Sequence, residues 1–360
     1  MFYYITRYTG DSKDAGTKAP KDINTICEKM GWKEVPFVQP RKQSIKIFDI
    51  INRIKMNKNN WKKLKKMVSE GDYVLYQHPM YFGTKFANKY IPILRKKGIK
   101  FIALIHDLES LRNLTASTNR DEEAYQFGDL VLLRNFDYVI AHNNKMRDYL
   151  IGKGINKKRI VCLEIFDYLC DTKLYTPQLQ KKVVIAGNLD KKKSGYIYEL
   201  ARQNPEIEVV VFGANYPEKQ NLKNIRYKGS YSPEKITGKL EGAFGIVWDG
   251  PSIDGCKGKT GEYLKYNNPH KTSMYLASGI PVFTWKQAAI SEFILNANLG
   301  IVVDNLNNIS EVLKNITNKQ YNLMVQNAKN ISDKLRNGYY FKKSIDEVIR
   351  LDEGLREDES

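Results

Sequence analysis

The sequence predicts an α/β protein built of two doubly wound domains in succession. Three observations carry that prediction. The chain has 360 residues, more than twice the roughly 150 of an ordinary domain. Short β-rich apolar runs alternate with amphipathic helical stretches along nearly its whole length, the pattern of βαβ units and parallel sheets. A segment without clear periodicity, Asp167 to Lys181 with Pro177 inside it, divides the alternation into two series.

In the first series Phe2–Thr6 reads as the opening strand, because it is short, turns polar at once and lacks the basic lead and cleavage-like small residues of a signal peptide. Further strands are expected at Tyr73–Tyr76, Ile99–His106, Tyr138–Ala141 and Arg159–Leu163, with helical patterns at 18–30, 44–67, 84–97, 120–134 and 144–153. In the second series the strands are Val183–Ala186, Ile207–Phe212, Ile225–Lys228, Phe244–Trp248, Pro281–Phe283 and Gly300–Val303, with helical patterns near 192–203, 232–240, 270–278, 287–295 and 319–335. This places the domains at 1–175 and 176–337, with a ligand cleft between the two sets of strand carboxyl ends. The final residues, Asp352 to Ser360, hold five acids and one Arg and are expected to fray.

Composition excludes several classes. With 42% hydrophobic and 11% aromatic residues the chain can fold. Apolar runs such as Phe101–Ile105 fall far short of the ~18 residues of a membrane span. Its four cysteines have no CxxC pairing or zinc-like His partner and read as reduced thiols, so a cytoplasmic protein is expected. The net charge is +18, which asks for an anionic partner. It is uneven: residues 1–100 carry 22 Lys/Arg against 8 Asp/Glu, and Arg41–Lys66 holds ten basic residues and one acid. A nucleic-acid binder is the reading that charge alone suggests. No zinc finger, aromatic RNA-binding signature or recognition helix accompanies the charge, and the basic excess avoids the second half, so no nucleic-acid partner is expected.

Chemistry concentrates in two places. Asn268-Pro269-His270-Lys271-Thr272-Ser273 reads as a helix start, with Pro269 in the first turn, Asn268 as cap and Gly279 at the exit. Free N–H groups there, surrounded by His270, Lys271, Thr272 and Ser273, suit a diphosphate. Gly187-Asn188 after the first strand of the second series makes a tight turn, and Lys191 to Lys193 add charge at the cleft mouth. No GxxxxGK[ST] or GxGxxG occurs, which disfavours P-loop and dinucleotide chemistry. In the first half Asp107, at the end of a strand, can take the proton of an acceptor hydroxyl, with His106 and Glu109 as alternatives and a turn-capping role for Asp107 as the plain reading. Gln77, His78 and Tyr81 would line an acceptor site; His142 could do so too, a loop histidine satisfied by hydrogen bonds being the plainer reading. No metal site is legible, since Asp249 and Asp254 lack DxD spacing.

Gly187-Asn188, Gly245–Asp249, Asn268–Val282, the His106–Arg112 segment and the ending Leu335-Arg336-Asn337-Gly338-Tyr339-Tyr340-Phe341 carry a resemblance. They resemble glycosyltransferases related to bacterial β-1,6-galactofuranosyltransferases and to the glucosyltransferase of serine-rich adhesins, from Tyr3 to about Ile349. The resemblance implies the GT-B fold: two facing Rossmann-like domains, the second binding a nucleotide-sugar donor, and a C-terminal helix, here within 338–360, crossing back to the first. It puts Lys191 and Lys271 on the diphosphate, with Gly187, Asn188 and the 268–273 helix start around UDP. Met274 stands where the wider retaining branch has its ribose-binding Glu, which leaves Asp249 or Glu262 for the ribose. The implied reaction is hexosyl transfer without metal or cofactor. Galactofuranose passing from UDP-galactofuranose to a lipid-linked polysaccharide precursor is its leading form, and UDP-glucose-dependent extension of adhesin glycans the alternative. The Arg41–Lys66 segment would then meet the inner face of the cell membrane. Homo-oligomerisation stays open.

Overall fold

A computed structural model describes all residues except 9–17, 40–43, 113–127, 218–221 and 360, and side chains only as far as 354. The first sheet contains β1 (Phe2–Tyr8), β2 (Lys33–Val38), β3 (Tyr73–His78), β4 (Lys100–Ile105), β5 (Tyr138–Ala141) and β6 (Ile160–Cys162), in the order β2-β1-β3-β4-β5-β6. The second contains β7 (Lys182–Ala186), β8 (Glu208–Phe212), β9 (Ile225–Tyr227), β10 (Phe244–Val247), β11 (Val282–Trp285) and β12 (Gly300–Val303), ordered β12-β11-β10-β7-β8-β9. The described strand pairings are parallel. Both orders reverse beside the first strand of their sheet, which opens a crevice at the carboxyl ends there. Interior strands such as Tyr138–Ala141 and Phe244–Val247 are buried along their whole length because helices cover both faces, hence their unbroken apolar runs.

Several described elements have no counterpart in the expected pattern, among them one strand and two helices of the sheets' flanks. Strand β2 is disguised by Pro36 and its charged start; at the sheet edge a missing N–H is tolerated, and only Val35 and Phe37 point inward. The helices Gly258–Tyr263 and Ile309–Asn315 are too short for periodicity to reveal. Of the 120–134 pattern, 120–127 lie outside the described residues and 128–133 are helical.

The final helix, Tyr339–Glu359, crosses back to the first sheet. The Asp167 carboxylate accepts the N–H groups of Tyr340 (3.1 Å) and Phe341 (2.8 Å), fixing the helix start, and the Phe341 ring meets Trp32 at 6.0 Å. The expectation that the chain frays from Asp352 fails. Asp352 is fully buried, accepts the hydroxyls of Tyr73 (2.6 Å) and Tyr138 (2.7 Å), and pairs with Lys100. An acid-rich ending conceals one acid that three first-domain donors hold in place. Burial raises this carboxyl, yet the bonds from Lys100, Tyr73 and Tyr138 overcome it and bring the group down to about 2. Asp352→Ala is therefore expected to cost about 2–3 kcal/mol, because it strands buried hydroxyls as well as deleting an ion pair. Because the folded value lies below the unfolded one, the wild-type advantage is present above about pH 4 and lost as pH falls towards 2. Thermal melts of both proteins at pH 7 and pH 3 check this: the gap should narrow at the lower pH.

Candidate active site

A cavity of about 520 Å³ opens between the sheets, within the size range of small-ligand pockets. Its wall includes Lys18, Asp107 and Arg112 from the first domain, Tyr168 from the connecting segment, and Gly187, Asn188, Lys193, Asn215, Tyr231, Asp249, Tyr263, His270 and Lys271 from the second domain.

On the second-domain side the helix His270–Ala277 begins without a side-chain cap, the Thr272 N–H donating to the Pro269 carbonyl (2.9 Å). Asn268 does not cap it: Pro269 holds the cap position and no side chain bonds an N–H there. Asn268 faces the first domain instead, its amide donating to the carbonyls of His142 (2.7 Å) and Glu164 (2.7 Å), its oxygen accepting from Asn143. Its backbone N–H donates to His142 Nδ1 (2.9 Å), while His142 Nε2 donates to the Ile105 carbonyl (3.0 Å). Both nitrogens of His142 are thus used, as expected of a satisfied loop histidine.

Lys271 Nζ donates to Asp249 Oδ1 (2.7 Å) and the Trp248 carbonyl (2.9 Å), and an ammonium has a third proton left for a ligand. Asp249 is thereby both an anchor for Lys271 and a cavity group, whereas Glu262 pairs with Lys265 (2.6 Å) and lies off the wall. His270 bonds the Asp167 carbonyl, and its Nε2 is buried without a partner. The bond to a carbonyl requires the proton on Nδ1, so Nε2 is an acceptor awaiting a donor. Burial, with the Lys18 charge, lowers this imidazole to about 3 and keeps it neutral. Thr272 and Ser273 are buried in the helix body, the Thr272 hydroxyl unpartnered.

Gly187 and Asn188 form the expected turn, which packs against Gly213: a Cβ there would lie 1.7 Å from the Gly187 carbonyl oxygen. Asn188 Oδ1 accepts from Asp190 N–H and the Asn215 amide, both at 3.0 Å. Of Lys191 to Lys193 it is Lys193 that lies on the wall; Lys191 is exposed and off it.

In the first domain Asp107 is half-buried on the wall. Burial pushes its carboxyl up to about 6, while Arg112 pulls the other way. Arg112 Nη1 bonds both Asp107 (3.1 Å) and Glu109 (3.2 Å). Across the cleft the Tyr263 hydroxyl accepts the Leu108 N–H at 2.9 Å and donates to Asp107. The alternatives to Asp107 are placed differently. His106 lies against Phe166 (5.5 Å), bonds Gln77 at 2.7 Å, and is lowered to about 3, chiefly by burial, which makes it a weak base. Glu109 is buried off the wall between Arg112 and the Tyr81 hydroxyl (3.3 Å).

The expected acceptor residues divide. Gln77 is occupied by Asn24 (2.7 Å) and His106, while His78 is buried with Nε2 on Asp129 (3.0 Å) and Nδ1 unpartnered, and neither lies on the cavity wall. Tyr81 is exposed, with the Arg7 guanidinium over its ring at 5.1 Å. Lys18 was not foreseen: it is buried, bonded to Asp22 and the Leu169 carbonyl (2.6 Å), beneath the Tyr168 ring. In a chain this rich in lysine, no sequence signal separates it from solvated ones.

The Glucosyltransferase 3-like N-terminal domain model matches residues 2–165 and the C-terminal domain model residues 183–348. The chain is 32% identical over 355 residues to beta-1,6-galactofuranosyltransferase WbbI of Escherichia coli (strain K12), covering 96% of this chain and 98% of that one. It is 27% identical over 338 residues to Glucosyltransferase 3 of Streptococcus gordonii, covering 92% and 93%. Among solved structures, the lipopolysaccharide outer core galactosyltransferase WaaB in its apo form superposes with a TM-score of 0.58 at 12% identity, over 97% of this chain and 99% of that one. Anabaena Alr3699/HepE in complex with UDP and glucose does so with a TM-score of 0.55 at 10% identity, over 99% and 98%. With two facing parallel sheets and full-length relatives in hand, the chain is a glycosyltransferase of GT-B fold and belongs to the Glucosyltransferase 3-like family.

Proposed function

We propose that the protein transfers galactofuranose from UDP-galactofuranose to a hydroxyl of a lipid-linked surface-glycan precursor. The observation that carries a transfer reading is the pairing, on one cavity wall, of a carboxylate from the first domain, Asp107, with Lys271, Lys193 and an uncapped helix start from the second. The named activity of the 32% identical relative supports the sugar, and the UDP-bound structure of a protein with the same fold supports the nucleotide.

In the proposed step the acceptor oxygen attacks the anomeric carbon and gives its proton to Asp107. The bond from that carbon to the diphosphate breaks, and UDP leaves with the electron pair. Lys271, Lys193 and the first-turn N–H groups of the 270–277 helix stabilise the charge that develops on it. The unpartnered Nε2 of His270 accepts a hydroxyl of the donor. These cationic and dipolar groups serve in place of a metal ion, so activity should stay complete in excess chelator. Loss that manganese restores would overturn this part.

Glucosyl transfer from UDP-glucose is the second reading, favoured by the 27% identical relative. Incubating the protein with a panel of nucleotide sugars and measuring nucleotide release decides between them, because slow donor hydrolysis needs no acceptor. Release from UDP-galactofuranose above all others is expected. Preference for UDP-glucose moves the assignment to the second reading, and no release from any donor overturns both.

A further inference from the structure

The helix Lys46–Met67 is built inside out over half its length. Its second half behaves ordinarily: Trp61 and Leu64 are buried, with Trp61 stacked on Tyr90 (5.6 Å) and edge-on to Phe37 (5.3 Å). Its first half exposes the apolar side chains, with Ile47 at 65%, Phe48 at 55%, Ile51 at 56% and Ile54 at 50% of full exposure. The buried residue there is the acid Asp49, paired with Arg53 at 2.9 Å.

The topology explains the exposure. The Asn60 side chain bonds both backbone groups of Val38, the last residue of β2, at 3.1 Å each. The turns before Asn60 therefore run past the carboxyl edge of the first sheet, where there is no core to cover them. That edge is the one carrying Asp107.

The exposed face is ordered along its length. At 100° per residue, Ile47, Ile51, Ile54, Lys58, Lys62 and Lys65 fall within one stripe about 80° wide, and all six are exposed. One line of side chains is thus apolar for its first half and basic for its second. Over 46–67 the helix carries eight basic residues and one acid, so its partner is anionic. Phe48 and Ile50 widen the apolar end into a convex ridge, which enters a fluid layer without needing a matching groove. A second copy of this chain would bring the same positive charge against it.

We propose that this helix docks the protein on an anionic phospholipid bilayer, with Ile47, Phe48, Ile50, Ile51 and Ile54 inserted below the headgroups and Lys58, Lys62 and Lys65 among the phosphates. The protein lies on the bilayer and does not span it: no helix among the described residues is long and apolar enough to cross. Docking turns the carboxyl edge of the first sheet, with Asp107, towards the lipid surface. That orientation suits a lipid-linked acceptor, and in this one respect it rests on the function proposed above; the docking itself does not.

The test is co-sedimentation of the full chain with vesicles of phosphatidylcholine alone or mixed with phosphatidylglycerol. The wild type should pellet with the mixed vesicles and remain in solution with the neutral ones. The triple variant Lys58→Gln, Lys62→Gln, Lys65→Gln should lose about fivefold in partitioning per lysine. Ile47→Ser, Ile51→Ser, Ile54→Ser should lose binding to the mixed vesicles although every lysine is kept. Both triple variants should keep the wild-type melting temperature and UDP affinity, which separates failure of docking from failure of the cleft assignment. A wild type that ignores the mixed vesicles overturns the proposal. So does a serine variant that still pellets, or one that binds vesicles as before while a wild-type dimer becomes monomeric.

Discussion

Asp107→Asn is expected to lower kcat by about 10²- to 10⁴-fold, the usual cost of removing a positioned general base, with UDP affinity little changed. The amide keeps the shape of the carboxylate but takes no proton. The same substitution should leave the melting temperature at neutral pH unchanged or raise it. With its carboxyl pushed to about 6, Asp107 favours folding fully only below its ordinary value of 3.8, and that contribution is lost as pH rises through 6. A variant that is inactive yet at least as stable locates the defect in chemistry.

The pH profile adds a second readout. Turnover should fall on an acidic limb near pH 6, where Asp107 becomes protonated. Arg112→Gln removes the guanidinium that holds that carboxyl down, so the limb should move to higher pH. A limb that stays in place would mean that another group sets it. His106 would put it far lower, since burial keeps that imidazole at about 3.

Lys271→Ala is expected to weaken UDP binding by about 2 kcal/mol, roughly thirtyfold, the cost of one charge-assisted hydrogen bond. The buried partner Asp249 loses its cation in the same change, so the melting temperature should also fall. Lys191→Ala is the control: this residue is exposed and off the cavity wall, and its removal should leave affinity nearly unaltered. Calorimetric titration of the three proteins with UDP checks the order. Equal losses at Lys191 and Lys271 would show that bulk charge rather than geometry holds the nucleotide.

Most strands of both sheets were legible because they are buried on two faces and leave unbroken apolar runs, as at Tyr138–Ala141 and Phe244–Val247. The edge strand β2, buried on one side and interrupted by Pro36, left no such trace. Around the site, sequence reasoning found segments better than individual residues. The helix start at 270 and the turn at 187 follow from capping and glycine chemistry, which is local. Which of three successive lysines meets the cavity depends on how the short helix Lys191–Ser194 sits in the fold, and local chemistry has no access to that. Asn268 fits an N-cap by residue type, but the approach of the first domain takes its side chain for His142 and Glu164. Gln77 and His78 stand at a strand end as ligand residues do, and only tertiary neighbours, Asn24 and Asp129, show that the Gln77 amide and His78 Nε2 are engaged.

In the proposed reaction the donor diphosphate sits at the start of the 270–277 helix, opposite Asp107. A crystal structure of the protein with UDP tests it most directly. Phosphate oxygens are expected within hydrogen-bond distance of Lys271 Nζ and of the first-turn N–H groups, with the terminal phosphate facing Asp107 across the cavity. Nucleotide bound elsewhere, or with its phosphates turned away from Lys271, would contradict it.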